Sequence, residues 1–130
     1  FLRRRMIERQ AAVDRNVRLA IELAAQIRDD RSIVKVEDAV NRSGLHKRTL
    51  QRLFDRCVGV SPKGVIQRYR LHEAAERMSR GTAADLTDLS LELGYYDLSH
   101  FIRDFKAILG MTPQEFAAAE RSGQHSRAGL

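Results

Sequence analysis

Apolar residues recur along this chain at steps of three and four, and no stretch alternates in the manner of a strand, so the pattern predicts an all-α protein of about seven helices. Val17, Ala20, Ile21, Ala24 and Ile27 mark a first helix from about Asp14 to Arg28. The polar break Asp29-Asp30-Arg31-Ser32 separates it from a short helix, about Val36 to Arg42, that stops at Ser43-Gly44, where glycine readily takes left-handed backbone angles. A third helix, about His46 to Val58, sets Leu50, Leu53, Phe54 and Cys57 on one face and Lys47, Arg48, Gln51 and Arg52 on the other. Val60-Ser61-Pro62 starts a long helix, because serine can bond free N-terminal amides and proline suits a first turn; it runs to about Arg80 and ends at Gly81-Thr82. Short helices then follow over about Leu86 to Leu93, about Asp97 to Leu109 with Phe101, Ile102, Phe105 and Ile108 inward, and about Thr112 to Glu120.

The chain also repeats itself. An offset of 51 residues pairs Arg52 with Arg103, Phe54 with Phe105, Gly59 with Gly110, Ser61 with Thr112 and Pro62 with Pro113, and upstream the turns at Gly44 and Gly94 match at an offset of 50. Each copy reads as a short helix, a glycine turn, an amphipathic helix with an arginine outside, then Gly-x-Ser/Thr-Pro and another helix.

Charge narrows the class of partner. A formal net charge of +6 on 130 residues and a pI near 10.1 favour a polyanion, since each Lys or Arg set against a phosphate releases condensed counterions. Catalysis is not supported. Cys57 sits on the apolar face of its helix, the histidines His46, His72, His100 and His125 are scattered, and neither a metal-ligand spacing nor a glycine-rich phosphate loop is present, so no catalytic residue, metal or cofactor is expected. One cysteine, no apolar run approaching a membrane span and no signal-type core point to a soluble, cytoplasmic protein. Stacking aromatics are few, which weighs against RNA.

The stretch Arg48-Thr-Leu-Gln-Arg-Leu-Phe54 with Gly59-Val-Ser-Pro62 and Arg70-Leu71, followed by Leu93-Gly-Tyr95, Ser99-His-Phe-Ile-Arg103-Asp-Phe-Lys106 and Gly110-Met-Thr-Pro113, resembles the DNA-binding domain of the AraC/XylS family of bacterial transcriptional regulators over roughly residues 15 to 120. His46 stands where that family usually has a serine cap, Asp55 where it has lysine, and Ser90 where it has alanine. The resemblance implies two helix-turn-helix subdomains, homeodomain-like in architecture. The expected division is a charged helical connector over 1–14, a first subdomain over 15–61, a linker helix over 62–81, a second subdomain over 82–120 and a disordered tail over 121–130. It further implies activation or repression of transcription, RNA polymerase as a candidate partner, and effector binding and dimerisation through an upstream domain absent from this sequence. The start at Phe1 agrees with a fragment or processed product.

A major groove about 12 Å wide admits one helix, useful there if one face anchors it and the other meets base edges. The recognition helices are therefore expected at about 46–58 and 97–109. Arginine forks onto guanine O6 and N7 and glutamine onto adenine N6 and N7, so Arg48, Gln51 and Arg52 in the first, with Ser99, His100 and Arg103 in the second, are the expected base contacts. Lys47, Ser61, Lys63, Lys106 and Thr112, near helix N-termini or on the same faces, are the expected phosphate contacts. Ser61 and Thr112 read equally well as helix caps, and the arginines as solvated helix faces. The linker helix, roughly 28 Å long at 1.5 Å per residue, suits two readers about one turn of double-stranded DNA apart. The competing reading is a helical protein-interaction module with a basic face.

Overall fold

A computed structural model of the protein describes residues 2–81 and 85–123. Among the described residues there are seven helices and no strand: α1 (Leu2–Asp29), α2 (Val36–Ser43), α3 (Lys47–Cys57), α4 (Pro62–Ser79), α5 (Leu86–Glu92), α6 (Leu98–Leu109) and α7 (Pro113–Arg121). The chain divides into two compact units, Phe1–Gln67 and Arg68–Leu130, with the boundary inside α4. Most of the expected tail, from residue 124 onward, and Thr82 at the expected end of α4 lie outside the described residues; Arg121 still belongs to α7.

α1 begins at Leu2 instead of near Asp14, so the expected connector and first helix form one element. Residues 2–14 contain no glycine or proline and are rich in Arg, Glu, Gln and Ala, which lose little side-chain freedom in a helix. Gln10 Nε2 also donates to Asp14 Oδ1 at 3.0 Å, one turn on. The buried row of α1 is Ala20, Leu23 and Ile27. Val17 and Ile21, expected in that row, are 38% and 63% exposed. The stripe turns toward Leu23 because Leu23 and Ile27 line one small interior space with Ile33, Ala39 and Leu50.

The rest of the first unit closes around that row. Asp38 Oδ2 accepts the Val34 and Lys35 amides at 3.0 and 2.9 Å and so starts α2. Gly44, at φ 72°, ends it by donating its N–H to the Val40 carbonyl, a left-handed turn that Gly94 repeats after α5 at φ 86°. α3 buries Leu50, Leu53 and Phe54 and leaves Cys57 half-buried, while Pro62, Val65 and Ile66 of α4 complete the buried set of this unit.

In the second unit Leu71, Ala74 and Ala75 of α4 form one core cluster with Leu89 and Leu93, Phe101 and Phe105 of α6, and Phe116 of α7. Phe105 stands at the centre of a ring contact series, 5.8 Å from Phe101 and 5.9 Å from Phe116 by centroid. Two polar side chains are also buried in this unit, Ser90 and Arg70. Ser90 Oγ donates to the Thr87 carbonyl at 2.8 Å, which lets a serine stand in a scaffold position where an alanine would otherwise be natural. Arg70 Nη1 lies 3.3 Å from Glu73 Oε2 within α4.

The repeat is present in the backbone. Helices α3 and α6 start at Lys47 and Leu98, and α4 and α7 at Pro62 and Pro113, both 51 residues apart; α2 and α5 start 50 apart, at Val36 and Leu86. Gly59 and Gly110 carry nearly the same φ, 80° and 84°.

α7 opens with a reciprocal cap: Thr112 Oγ1 accepts the Glu115 amide at 3.1 Å and Glu115 Oε1 accepts the Thr112 amide at 3.3 Å. The bonds to Thr112, aided by Lys106, hold the Glu115 carboxyl below its ordinary value of 4.5. A carboxyl depressed in the fold stabilises it above its unfolded value, and that contribution disappears as pH falls through the folded value. Glu115→Gln is therefore expected to melt below the parent at pH 7, with the gap closing from about pH 4.5 downward. A gap that does not change with pH would show that the carboxylate charge is irrelevant to the cap.

Candidate nucleic-acid interface

On α3 the side opposite Leu50, Leu53 and Phe54 carries Lys47, Arg48, Gln51 and Arg52, all exposed. Lys47 Nζ is drawn to α2, 3.6 Å from Glu37 Oε1. Arg48, Gln51 and Arg52 make no side-chain hydrogen bond or ion pair among the described residues, so their donors face solvent. At the N-terminus of this helix His46 has extended backbone angles and makes no side-chain cap bond, which leaves the first amides of α3 without a side-chain acceptor. Positive partial charge at those amides adds to Lys47 and Arg48 beside them.

α6 has the same scaffold and a different surface. Ser99, His100, Arg103 and Lys106 are exposed, as the sequence pattern expects. At the 51-residue offset, however, Leu98 takes the place of Lys47 and Ile102 that of Gln51, and both are half-buried, so the outward row narrows to Ser99, His100 and Arg103. The N-terminus of α6 is capped by Asp97, whose carboxylate accepts the His100 amide at 2.7 Å. Arg103 has no internal partner among the described residues. Lys106 faces Glu115, so one of its neighbours is acidic.

His100 is held by its surroundings. Its Nε2 lies 3.5 Å from Asp104 Oδ2, the oxygen that also accepts the Tyr95 hydroxyl at 3.0 Å. The Tyr95 ring meets the His100 ring edge to face at 5.4 Å and the Phe101 ring at 5.5 Å. Burial, and then the Asp104 carboxylate, keep the Tyr95 hydroxyl protonated well above the ordinary tyrosine range. Sequence reasoning missed Tyr95 and Asp104. The signal was there: Asp104 follows His100 by one helical turn and stands at the 51-residue offset from Leu53, a buried core residue.

Of the other expected phosphate contacts, Lys63 is exposed, while the hydroxyls of Ser61 and Thr112 accept the Gly64 and Glu115 amides at 3.1 Å each. Both therefore serve as caps, and each hydroxyl hydrogen remains available to donate. Among the described residues no group of three or more His, Cys, Asp or Glu is placed to hold a metal ion, and no helix is long and apolar enough to cross a membrane.

Comparison with known proteins places these features in a family. The family described as a helix-turn-helix domain matches residues 39–119. The chain is 32% identical to a putative HTH-type transcriptional regulator of Escherichia coli, YkgA, over 64% of this chain and 34% of that protein. It is 30% identical to the HTH-type transcriptional activator AarP of Providencia stuartii, over 67% of this chain and 64% of that protein. A probable transcription factor of Proteus vulgaris, PqrA, is 31% identical over 64% of this chain and 67% of its own length. The chain thus spans about a third of the first of these regulators and just under two thirds of the second.

Proposed function

We propose, for a chain that belongs to the AraC-type helix-turn-helix family and is thereby a DNA-binding domain of a transcriptional regulator, that α3 and α6 are its two reading helices and that each addresses a segment of major groove. One observation carries this assignment. In a scaffold repeated at fixed offset, both helices bury their aromatic or leucine face and present an arginine, Arg52 and Arg103, at the matched outward position with no internal partner among the described residues. An exposed arginine with unspent donors on a helix face is the group that forks onto guanine.

In this reading Arg48, Gln51 and Arg52 contact bases from α3, and Ser99, His100 and Arg103 from α6. Lys47, Lys63 and Lys106, with the hydroxyls of Ser61 and Thr112, meet phosphates and set the register. The whole regulator pairs this domain with an upstream domain for effector binding and dimerisation, works in the bacterial cytoplasm, and touches RNA polymerase when it activates. Support for the larger protein comes from the length of the regulator YkgA, of which this chain matches 34%.

Selection of bound duplexes from a random pool tests the reading and yields the site in one experiment. A single enriched sequence is expected, bound in the presence of competitor DNA and released steeply as salt rises. The enrichment should weaken in Arg48→Ala. Equal weak binding of every duplex, unchanged by Arg48→Ala, would overturn the assignment and favour a basic protein-interaction surface.

A further inference from the structure

The second unit carries a carboxylate where the first carries a core leucine: Asp104 lies at the 51-residue offset from Leu53, which is 8% exposed. It is turned inward, with a side chain only 21% exposed, and its Oδ2 receives the Tyr95 hydroxyl at 3.0 Å. The same oxygen lies 3.5 Å from Nε2 of His100, whose side chain is 51% exposed. Tyr95 is itself anchored, since its amide donates to the Ser90 carbonyl at 3.0 Å and its ring edge packs against Phe101. No counterpart exists in the first unit, where Thr49 stands at the position of His100 and Leu53 at that of Asp104.

Resting on the reading that α6 enters the groove, we propose that Tyr95 and Asp104 are specificity-determining positioning residues that fix the imidazole of His100 with Nε2 toward the protein and Nδ1 toward the base. A carboxylate facing Nε2 favours the tautomer that carries its hydrogen there. Nδ1 of the neutral ring is then an acceptor. In the major groove an acceptor selects an exocyclic amino group, so His100 prefers cytosine N4 or adenine N6 over the carbonyl edges of guanine and thymine. Tyr95 contributes by satisfying and orienting the carboxylate. Without its hydroxyl Asp104 loses one of the bonds that set the direction of its carboxylate toward His100.

The test uses the selected duplex and variants of it carrying each base pair at every position read by the second unit. His100→Ala is expected to relax preference at one base pair by about fivefold or more, the low end of a mismatch penalty. Tyr95→Phe and Asp104→Asn should each relax that same base pair to a similar degree, and the double variant should go no further than either single one, because all three changes release one imidazole. Thermal melts of the variants separate this from a loss of structure, which would weaken all duplexes alike. Retained preference in Tyr95→Phe and Asp104→Asn overturns the proposal, as does a uniform loss across base pairs. Arg103→Ala separates the levels. If it relaxes its own base pair while His100→Ala relaxes none, the positioning inference falls and the reading helix stands; if neither relaxes any, both fall.

Discussion

Arg52→Ala is expected to bind the selected duplex about tenfold or more weakly, with preference lost at one base pair, and Arg103→Ala to lose less. The two arginines occupy matched positions, so the difference must come from their helices. Between His46 and Val58 Lys47, Arg48, Arg52 and Arg56 outweigh Asp55, whereas between Asp97 and Leu109 Arg103 and Lys106 are balanced by Asp97 and Asp104. The helix ends reinforce the contrast. α3 has no side-chain cap, so its N-terminal amides are open to a phosphate, while at the start of α6 the His100 amide already serves the Asp97 carboxylate. Removing a fork from the unit with the stronger electrostatic hold should therefore cost more of the total, and the binding of both variants measured over a salt series decides it. A larger loss at Arg103 overturns the ranking of the two units.

Phe105→Ala should cost roughly 3–5 kcal/mol in the second unit, the range for emptying a well-packed aromatic site. Phe105 is fully buried and touches the rings of both Phe101 and Phe116, so its removal strips one wall from α6 and another from α7 at once. Partial collapse is restricted because the neighbours are themselves rings on helices held by caps at Asp97 and Thr112. A thermal melt reads the change directly. A loss below about 1 kcal/mol would mean that the site closes on itself and that Phe105 is not the centre of this core.

The sequence pattern located α2 to α7 to within a residue or two, because each is bounded by a glycine turn, a proline or an N-cap side chain. The exposed row of α3 was equally legible, since charge and helical spacing agree there. Three things were not. The helical connector and the first helix join into one element from Leu2 because a helix needs no apolar stripe to continue through good helix formers, and the stripe was the signal that set the expected start near Asp14. Its buried row turned toward Leu23 because several apolar residues flank the true contact line, and only the neighbours at Ile33, Ala39 and Leu50 decide between Leu23 and Ile21. The hold on His100 depends on Tyr95, which lies before α6 and reaches Asp104 only once the turn after α5 is formed.

α1 is one unbroken helix whose last turns belong to a core and whose first turns do not: Ala20, Leu23 and Ile27 are buried, while Leu2, Met6 and Ile7 are 74%, 71% and 63% exposed. Amide protection along it must therefore be graded. Near Leu23 a backbone hydrogen can exchange with solvent only when the unit opens as a whole, whereas near Met6 it needs only the local fraying of a solvated helix. A single element thus contains two thermodynamic regimes, joined without a hinge, and its outer turns draw on backbone hydrogen bonds and local side-chain pairs such as Gln10 with Asp14 where its last turns draw on a core.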